Sequence, residues 1–170
     1  MRWIWIDRFT EFQSGKFARA VKHLSLAEDH FAQHFPGWPI MPAALILEGL
    51  AQTGGILVGE ANQFKEKVIL AKVPRATFHR EMLAGEQLFY EAEIVHLRPE
   101  GASVECKVVV DNQVTVEAEI FFAHLDQNRS AAIFGEHNFV FGGEMKNLVG
   151  KLTGVAQKAG PSPSGHSKNS

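Results

Sequence analysis

Between residues 40 and 58 the chain is apolar almost without interruption, and this sets the first constraint on its fold. The stretch carries Pro42, a residue welcome in the first turn of a helix, then Ala43-Ala44-Leu45-Ile46-Leu47 before its only charge, Glu48. It nearly reaches the length of a bilayer span. Glu48 and Gln52 sit near its middle, however, with glycines at 49, 54 and 55, and a charge at mid-membrane is costly. The pattern predicts a buried helix from about Pro42 to about Gly59, and no membrane span. A helix that is apolar nearly all round must be covered on most sides.

Strands supply the cover. Val104, Cys106, Val108 and Val110 alternate with Ser103, Glu105, Lys107 and Val109. After a turn at Asp111-Asn112, Val114, Val116, Ala118, Ile120 and Phe122 alternate with Thr115, Glu117, Glu119 and Phe121. This is the period of a sheet with one buried and one wetter face. Residues 88–97 predict a further strand, closed by Pro99-Glu100-Gly101, and strand character begins at Lys67. At the other end, residues 3–12 and 16–23 read as extended around a turn at Gln13-Ser14-Gly15. Ser25-Leu26-Ala27-Glu28 fits a capping box, which predicts a short helix from there to about Phe31 or Gln33. Residues 35–39, with two prolines and a glycine, must be irregular. Two strands, a short helix, a long buried helix and about four strands make an α+β layer architecture: a curved antiparallel sheet wrapped around one helix.

Composition excludes several classes. Lysine plus arginine total 17 against 19 acidic residues, a net charge of −2, which argues against a general nucleic-acid binder. The single cysteine, Cys106, forms no intrachain disulfide and no multi-cysteine zinc site; it reads as core rather than nucleophile. The N-terminal apolar residues meet Asp7-Arg8 at once, so a secretory signal is not expected, and the lone cysteine suits a reducing cytoplasm. Beyond Asp126 the character changes. Residues 127–170 hold five basic and two acidic side chains, and Met145, Leu148, Val149, Leu152 and Val155 fall at helical spacing. The expected organisation is one main domain over residues 1–126, an extension with an amphipathic helix over 127–157, and a disordered tail over 158–170.

Three features could carry chemistry. Glu48 lies in apolar surroundings with Gln52 one turn later on the same helix face. Burial would favour the protonated carboxyl that a general acid needs; a plain Glu48–Gln52 hydrogen bond or a solvent-facing carboxylate is equally open. His34 precedes the Pro/Gly segment at the mouth of the long helix, where histidine could serve as a base or as a structural hydrogen-bonding group. The N–H groups of Ala43 and Ala44 are unpaired donors at the positive end of the helix dipole and could polarise a carbonyl oxygen. His30 and His34 are four apart, but no third ligand stands at a helpful spacing, so no metal is expected. No phosphate-binding glycine loop and no serine-nucleophile elbow is present.

Taken together, His34-Phe35-Pro36-Gly37-Trp38-Pro39-Ile40-Met41-Pro42 followed by Glu48-Gly49-Leu50-Ala51-Gln52 resembles the active-site segment of the (3R)-hydroxyacyl-[acyl carrier protein] dehydratases, hotdog-fold enzymes of type II fatty-acid synthesis. The resemblance covers roughly residues 2–126 and rests on the histidine, the prolines, the Met-Pro pair, the acid fourteen residues on and the glutamine four beyond it. It implies a hotdog fold and a hydro-lyase without cofactor, in which His34 takes a proton from C2 and Glu48 protonates the departing hydroxyl. It further implies that Ala43 and Ala44 hold the thioester carbonyl, that Gln52 orients Glu48 and that an apolar tunnel takes the acyl chain. Histidine and acid would come from different subunits of a homodimer, with acyl carrier protein as the partner that delivers substrate. Glutamate at position 48 points to the branch that dehydrates without isomerising. One departure stands out: the family usually has glycine where this chain has Ala43, which is costly only if that position needs a positive φ or very close approach. Two other functions fit the same fold, an acyl thioesterase with Glu48 activating water and a non-catalytic acyl-binding protein. Independently of the family, Lys65, Lys67, Lys72, Arg75 and Arg80 oppose only Glu66, a local net of +4 (five minus one) that would suit an acidic carrier.

Overall fold

The long helix, α2, spans Ala43–Ala61, within two residues of its predicted ends. All eight residues from 52 to 59 are buried, so over two turns no face of this helix meets solvent. The cover is a six-stranded, wholly antiparallel sheet: β1 (Arg8–Gln13), β2 (Phe17–His23), β3 (Lys67–Phe78), β4 (Gln87–Arg98), β5 (Gly101–Val110) and β6 (Gln113–Leu125), in the order β1-β2-β4-β5-β6-β3. A five-residue helix, α1 (Asp29–Gln33), sits between β2 and α2. This is a computed structural model, and it describes residues 3–125. The extension expected at 127–157 and the tail at 158–170 lie outside the described residues.

The alternation read from sequence is the alternation that packs. Val104, Cys106 and Val108 of β5 and Val116, Ile120 and Phe122 of β6 are buried on the helix side. The Asp111-Asn112 turn has both central residues at positive φ, 50° and 63°, the mirror-image turn that matches strand twist. One expected inward residue is displaced. The register shifts after the Val108–Val116 pair, so that Val109 faces Val114; Thr115 is buried and donates to the Val108 carbonyl at 3.2 Å, while Val114 is exposed.

Two boundaries differ from the sequence reading. Residues 3–7 are not strand: the Trp5 N–H is taken by the Gln52 side chain at 2.8 Å, and β1 pairing starts at Arg8. The short helix starts at Asp29 instead of following Ser25. Ser25 Oγ accepts from Ala27 N–H, the Glu28 carboxylate accepts from Ser25 N–H at 3.1 Å, and residue 28 stays extended at ψ 135°. The capping residues thus close a turn of their own before the helix begins.

Among the glycines of α2, Gly49 leaves the least room for a side chain against the sheet. A Cβ placed there would lie 2.5 Å from Tyr90 Cζ and 2.8 Å from its hydroxyl oxygen. The ring of Tyr90, on β4, is fully buried, and its hydroxyl has no hydrogen-bond partner among the described residues. Gly49→Ala is therefore expected to destabilise the fold by about 1–3 kcal/mol through overpacking. Tyr90→Leu should recover part of that loss in the double variant, and Tyr90→Phe alone should be close to neutral because no hydrogen bond is lost. Urea unfolding of the four proteins checks this.

Candidate active site

His34 is the C-cap of α1, at φ −133° and ψ 74°, where the chain leaves the helix. Its N–H still bonds to the His30 carbonyl at 3.0 Å, and its own carbonyl accepts from Ile40 N–H at 2.9 Å. Between them Phe35 and Trp38 exchange two backbone bonds of 3.0 Å around Pro36-Gly37, with Gly37 at φ 84°, a turn that needs glycine at its third position. The half-buried His34 ring stacks on Phe35 at 4.3 Å, and Nδ1 lies 3.3 Å from the Ile40 carbonyl oxygen. A carbonyl can only accept, so in the neutral ring Nδ1 carries the proton and Nε2 presents its lone pair. That is the tautomer a base at Nε2 requires.

His30 and His34 do not form a ligand pair. Helix α1 ends between them, and the buried His30 ring packs against Trp5 at 5.5 Å and Phe31 at 4.3 Å. Burial pushes the His30 pKa below its ordinary value, keeping it neutral. Among the described residues no group of three or more His, Cys, Asp or Glu side chains could hold a metal ion.

Pro42 caps α2 without a side-chain hydrogen bond. The first bonds of the helix come from Leu45 and Ile46, both to the Pro42 carbonyl. Ala43 and Ala44, both exposed, stand at the first two helical positions with N–H groups that start no bond within the helix. Ala43 is in helical conformation and is not among the positive-φ residues, so alanine costs nothing in backbone strain there and keeps its donor. Glu48 is half-buried, less enclosed than its apolar neighbours suggested. Gln52 Nε2 donates to Glu48 Oε1 at 2.9 Å and to the Trp3 carbonyl at 2.9 Å, while Gln52 Oε1 accepts from Trp5 N–H at 2.8 Å. These three bonds fix the amide of a side chain only 4% exposed, and the amide in turn fixes one carboxylate oxygen. His34 and Glu48 share no hydrogen bond within the chain.

Several polar contacts escaped the sequence reading. Lys22 is buried on β2 and pairs with Glu28, with Asp7 at 3.8 Å. Its place after the buried Ala18 and Ala20 in a period-2 strand was the available signal. Arg80 leaves the expected cationic run, because its guanidinium bonds to Glu86 at 2.8 Å. That leaves Lys65, Lys67, Lys72 and Arg75 on or beside the edge strand β3. Cys106 is buried, and desolvation pushes its thiol up to about 12, far from a reactive thiolate.

Residues 3–119 match the FabA-like domain. The chain belongs to that family. It is 38% identical over 117 residues to the 3-hydroxyacyl-[acyl-carrier-protein] dehydratase FabZ of Lawsonia intracellularis, an alignment covering 66% of this chain and 76% of that protein. To the enzyme of the same name from Oceanobacillus iheyensis it is 40% identical over 119 residues, covering 69% and 85%. Among solved structures it is similar to the dehydratase heterocomplex ApeI:P from Xenorhabdus doucetiae, with a TM-score of 0.65, 11% identity and coverage of 79% and 91%. It is also similar to the thioesterase HI1161 from Haemophilus influenzae, with a TM-score of 0.58, 10% identity and coverage of 76% and 81%. At such identities these likenesses speak to the fold alone, which is the hotdog fold expected from the sequence. No helix among the described residues is long and apolar enough to cross a membrane.

Gln52 ties the N-terminal segment to the acid. Gln52→Leu leaves the Trp5 N–H without its acceptor and releases Glu48, so a loss of about 1–3 kcal/mol in stability is expected. Thermal unfolding of the variant measures it.

Proposed function

We propose that this protein is a hydro-lyase that converts (3R)-3-hydroxyacyl thioesters on acyl carrier protein to trans-2-enoyl thioesters and water, in the cytoplasm, without isomerising the new double bond. The observation that carries the reading is the Ile40 carbonyl at His34 Nδ1, which leaves Nε2 free to accept a proton. In the reaction Nε2 removes the C2 proton of the substrate. The electron pair of that C–H bond forms the C2=C3 double bond as the C3–O bond breaks. Glu48, as general acid, gives a proton to the departing hydroxyl, which leaves as water. The N–H groups of Ala43 and Ala44 hold the thioester oxygen while negative charge develops on it, aided by the helix dipole. Gln52 holds Glu48 in place through Oε1.

His34 and Glu48 share no hydrogen bond within one chain, and in this reading each site of a homodimer takes His34 from one protomer and Glu48 from its partner. Relatives named as 3-hydroxyacyl-[acyl-carrier-protein] dehydratases at 38% and 40% identity support the substrate class. No observation favours the thioesterase or the silent binder over this reading.

The test is a spectrophotometric dehydration assay with a 3-hydroxyacyl thioester on carrier protein. His34→Ala and Glu48→Gln should each lower kcat by at least about a hundredfold without unfolding the protein. Turnover by the wild type that survives both changes would refute the mechanism, and release of free thiol in place of enoyl product would identify a thioesterase. Charge reversal at Lys72 and Arg75 should raise KM for carrier-linked substrate with little effect on kcat, and an unchanged KM would rule out the edge-strand cations as the carrier's landing surface.

A further inference from the structure

The turn that carries His34 is braced from outside. The connection between β3 and β4, residues 79–86, lies against it at two points. Met41 N–H donates to the Met82 carbonyl at 2.8 Å, closing the isolated bridge between Ile40 and Leu83, and Trp38 Nε1 donates to Glu81 Oε2 at 3.0 Å. The first is a backbone contact that places Ile40, whose carbonyl receives His34 Nδ1–H. The second is a side-chain contact across 43 positions of sequence. It is the one side-chain hydrogen bond recorded from the 35–38 turn to the rest of the described residues. Trp38 is 60% exposed, so burial does not hold its indole where it is; the hydrogen bond to a carboxylate does.

The bracing connection is itself firmly set. Glu86 accepts from Leu83 N–H at 2.7 Å and pairs with Arg80 at 2.8 Å, and Arg80 also donates to the Glu81 carbonyl at 2.7 Å. Gly85 N–H bonds to the Leu24 carbonyl at 2.8 Å, and Leu24 N–H to the Glu86 carbonyl at 3.0 Å, which ties the connection to the end of β2. Glu81 therefore stands on a support held by several hydrogen bonds, whereas within residues 35–38 the backbone bonds only between Phe35 and Trp38, and the Trp38 indole supplies the side-chain tie outward. Small displacements of a catalytic group are expensive in rate.

The geometry points to Trp38 and Glu81 as positioning residues that hold the His34 turn, and with it the tautomer and direction of the imidazole. Neither touches the reacting atoms. The inference rests on the reading of His34 as the base. The experiment compares Trp38→Phe, Glu81→Ala and Glu81→Gln with the wild type in the full-length protein. Trp38→Phe keeps an aromatic ring without the N–H, and Glu81→Gln keeps an acceptor oxygen. Each protein is assayed for dehydration, and its histidine ring nitrogens are observed by 15N NMR, with His34 assigned through His34→Ala. Trp38→Phe and Glu81→Ala should lower kcat about tenfold with KM and melting temperature unchanged, and should convert the His34 signal from the Nδ1–H tautomer to a mixture. Glu81→Gln should retain both kcat and the wild-type ring signal. Unchanged kcat and unchanged ring signal in both Trp38→Phe and Glu81→Ala would overturn the inference. So would a Glu81→Gln protein as impaired as Glu81→Ala. If the wild type itself shows no dehydration, the reading of the function fails, and the nitrogen spectra still decide whether this hydrogen bond orients the ring.

Discussion

A helix with no solvent face over two full turns depends wholly on what surrounds it. Everything else in the described fold answers that demand. The strands alternate so that one face of the sheet is apolar, and the sheet curls so that this face meets α2 from several sides. At Gly49 the ring of Tyr90 fills the space that a side chain would need. Burial of this kind is the main favourable term in folding and has no direction of its own, so complementary packing supplies the specificity.

The same helix brings the polar chemistry into register. Gln52 is enclosed by the apolar packing, so its amide must find partners, and it finds them in the N-terminal segment and in Glu48. Core and candidate site thus share a residue: the demand that a buried amide be satisfied is what orients the carboxylate. At the other end, α2 begins in the open, with Pro42 as cap and Ala43 and Ala44 exposed. The helix offers a held acid along its length and unspent donors at its start, two features an acyl-transfer or elimination site needs in one place.

Legibility followed the range of the interaction. Both ends of α2, the strands β3 to β6, the Asp111-Asn112 turn and the irregular 35–39 segment were readable because local periodicity or turn chemistry specifies them. His34, Glu48, Gln52 and the helix-start donors were legible as residues because histidine, acid and amide are rare in such apolar company, and the family resemblance assigned their roles. The start of β1, the start of α1 and the inward turn of Thr115 were not legible. Each depends on a partner remote in sequence or on a competing local hydrogen bond: Gln52 for Trp5, Glu28 for Ser25, and the shifted β5–β6 register for Thr115. Arg80 counted as a free cation only while Glu86 was out of sight.

The sequence by itself determined that one long apolar helix would be wrapped by an antiparallel sheet, and which few polar residues would lie along it. Hydrophobic period and helix punctuation are local properties, written within a few residues of where they act. Tertiary structure alone decided the state of those polar residues. It gave His34 its tautomer through the Ile40 carbonyl, set Glu48 through Gln52, freed alanine of backbone strain at position 43 by placing it in a helical conformation, and joined Trp38 to Glu81. Hydrogen bonds are short and directional, so they exist only once the chain has brought distant groups to within about 3 Å.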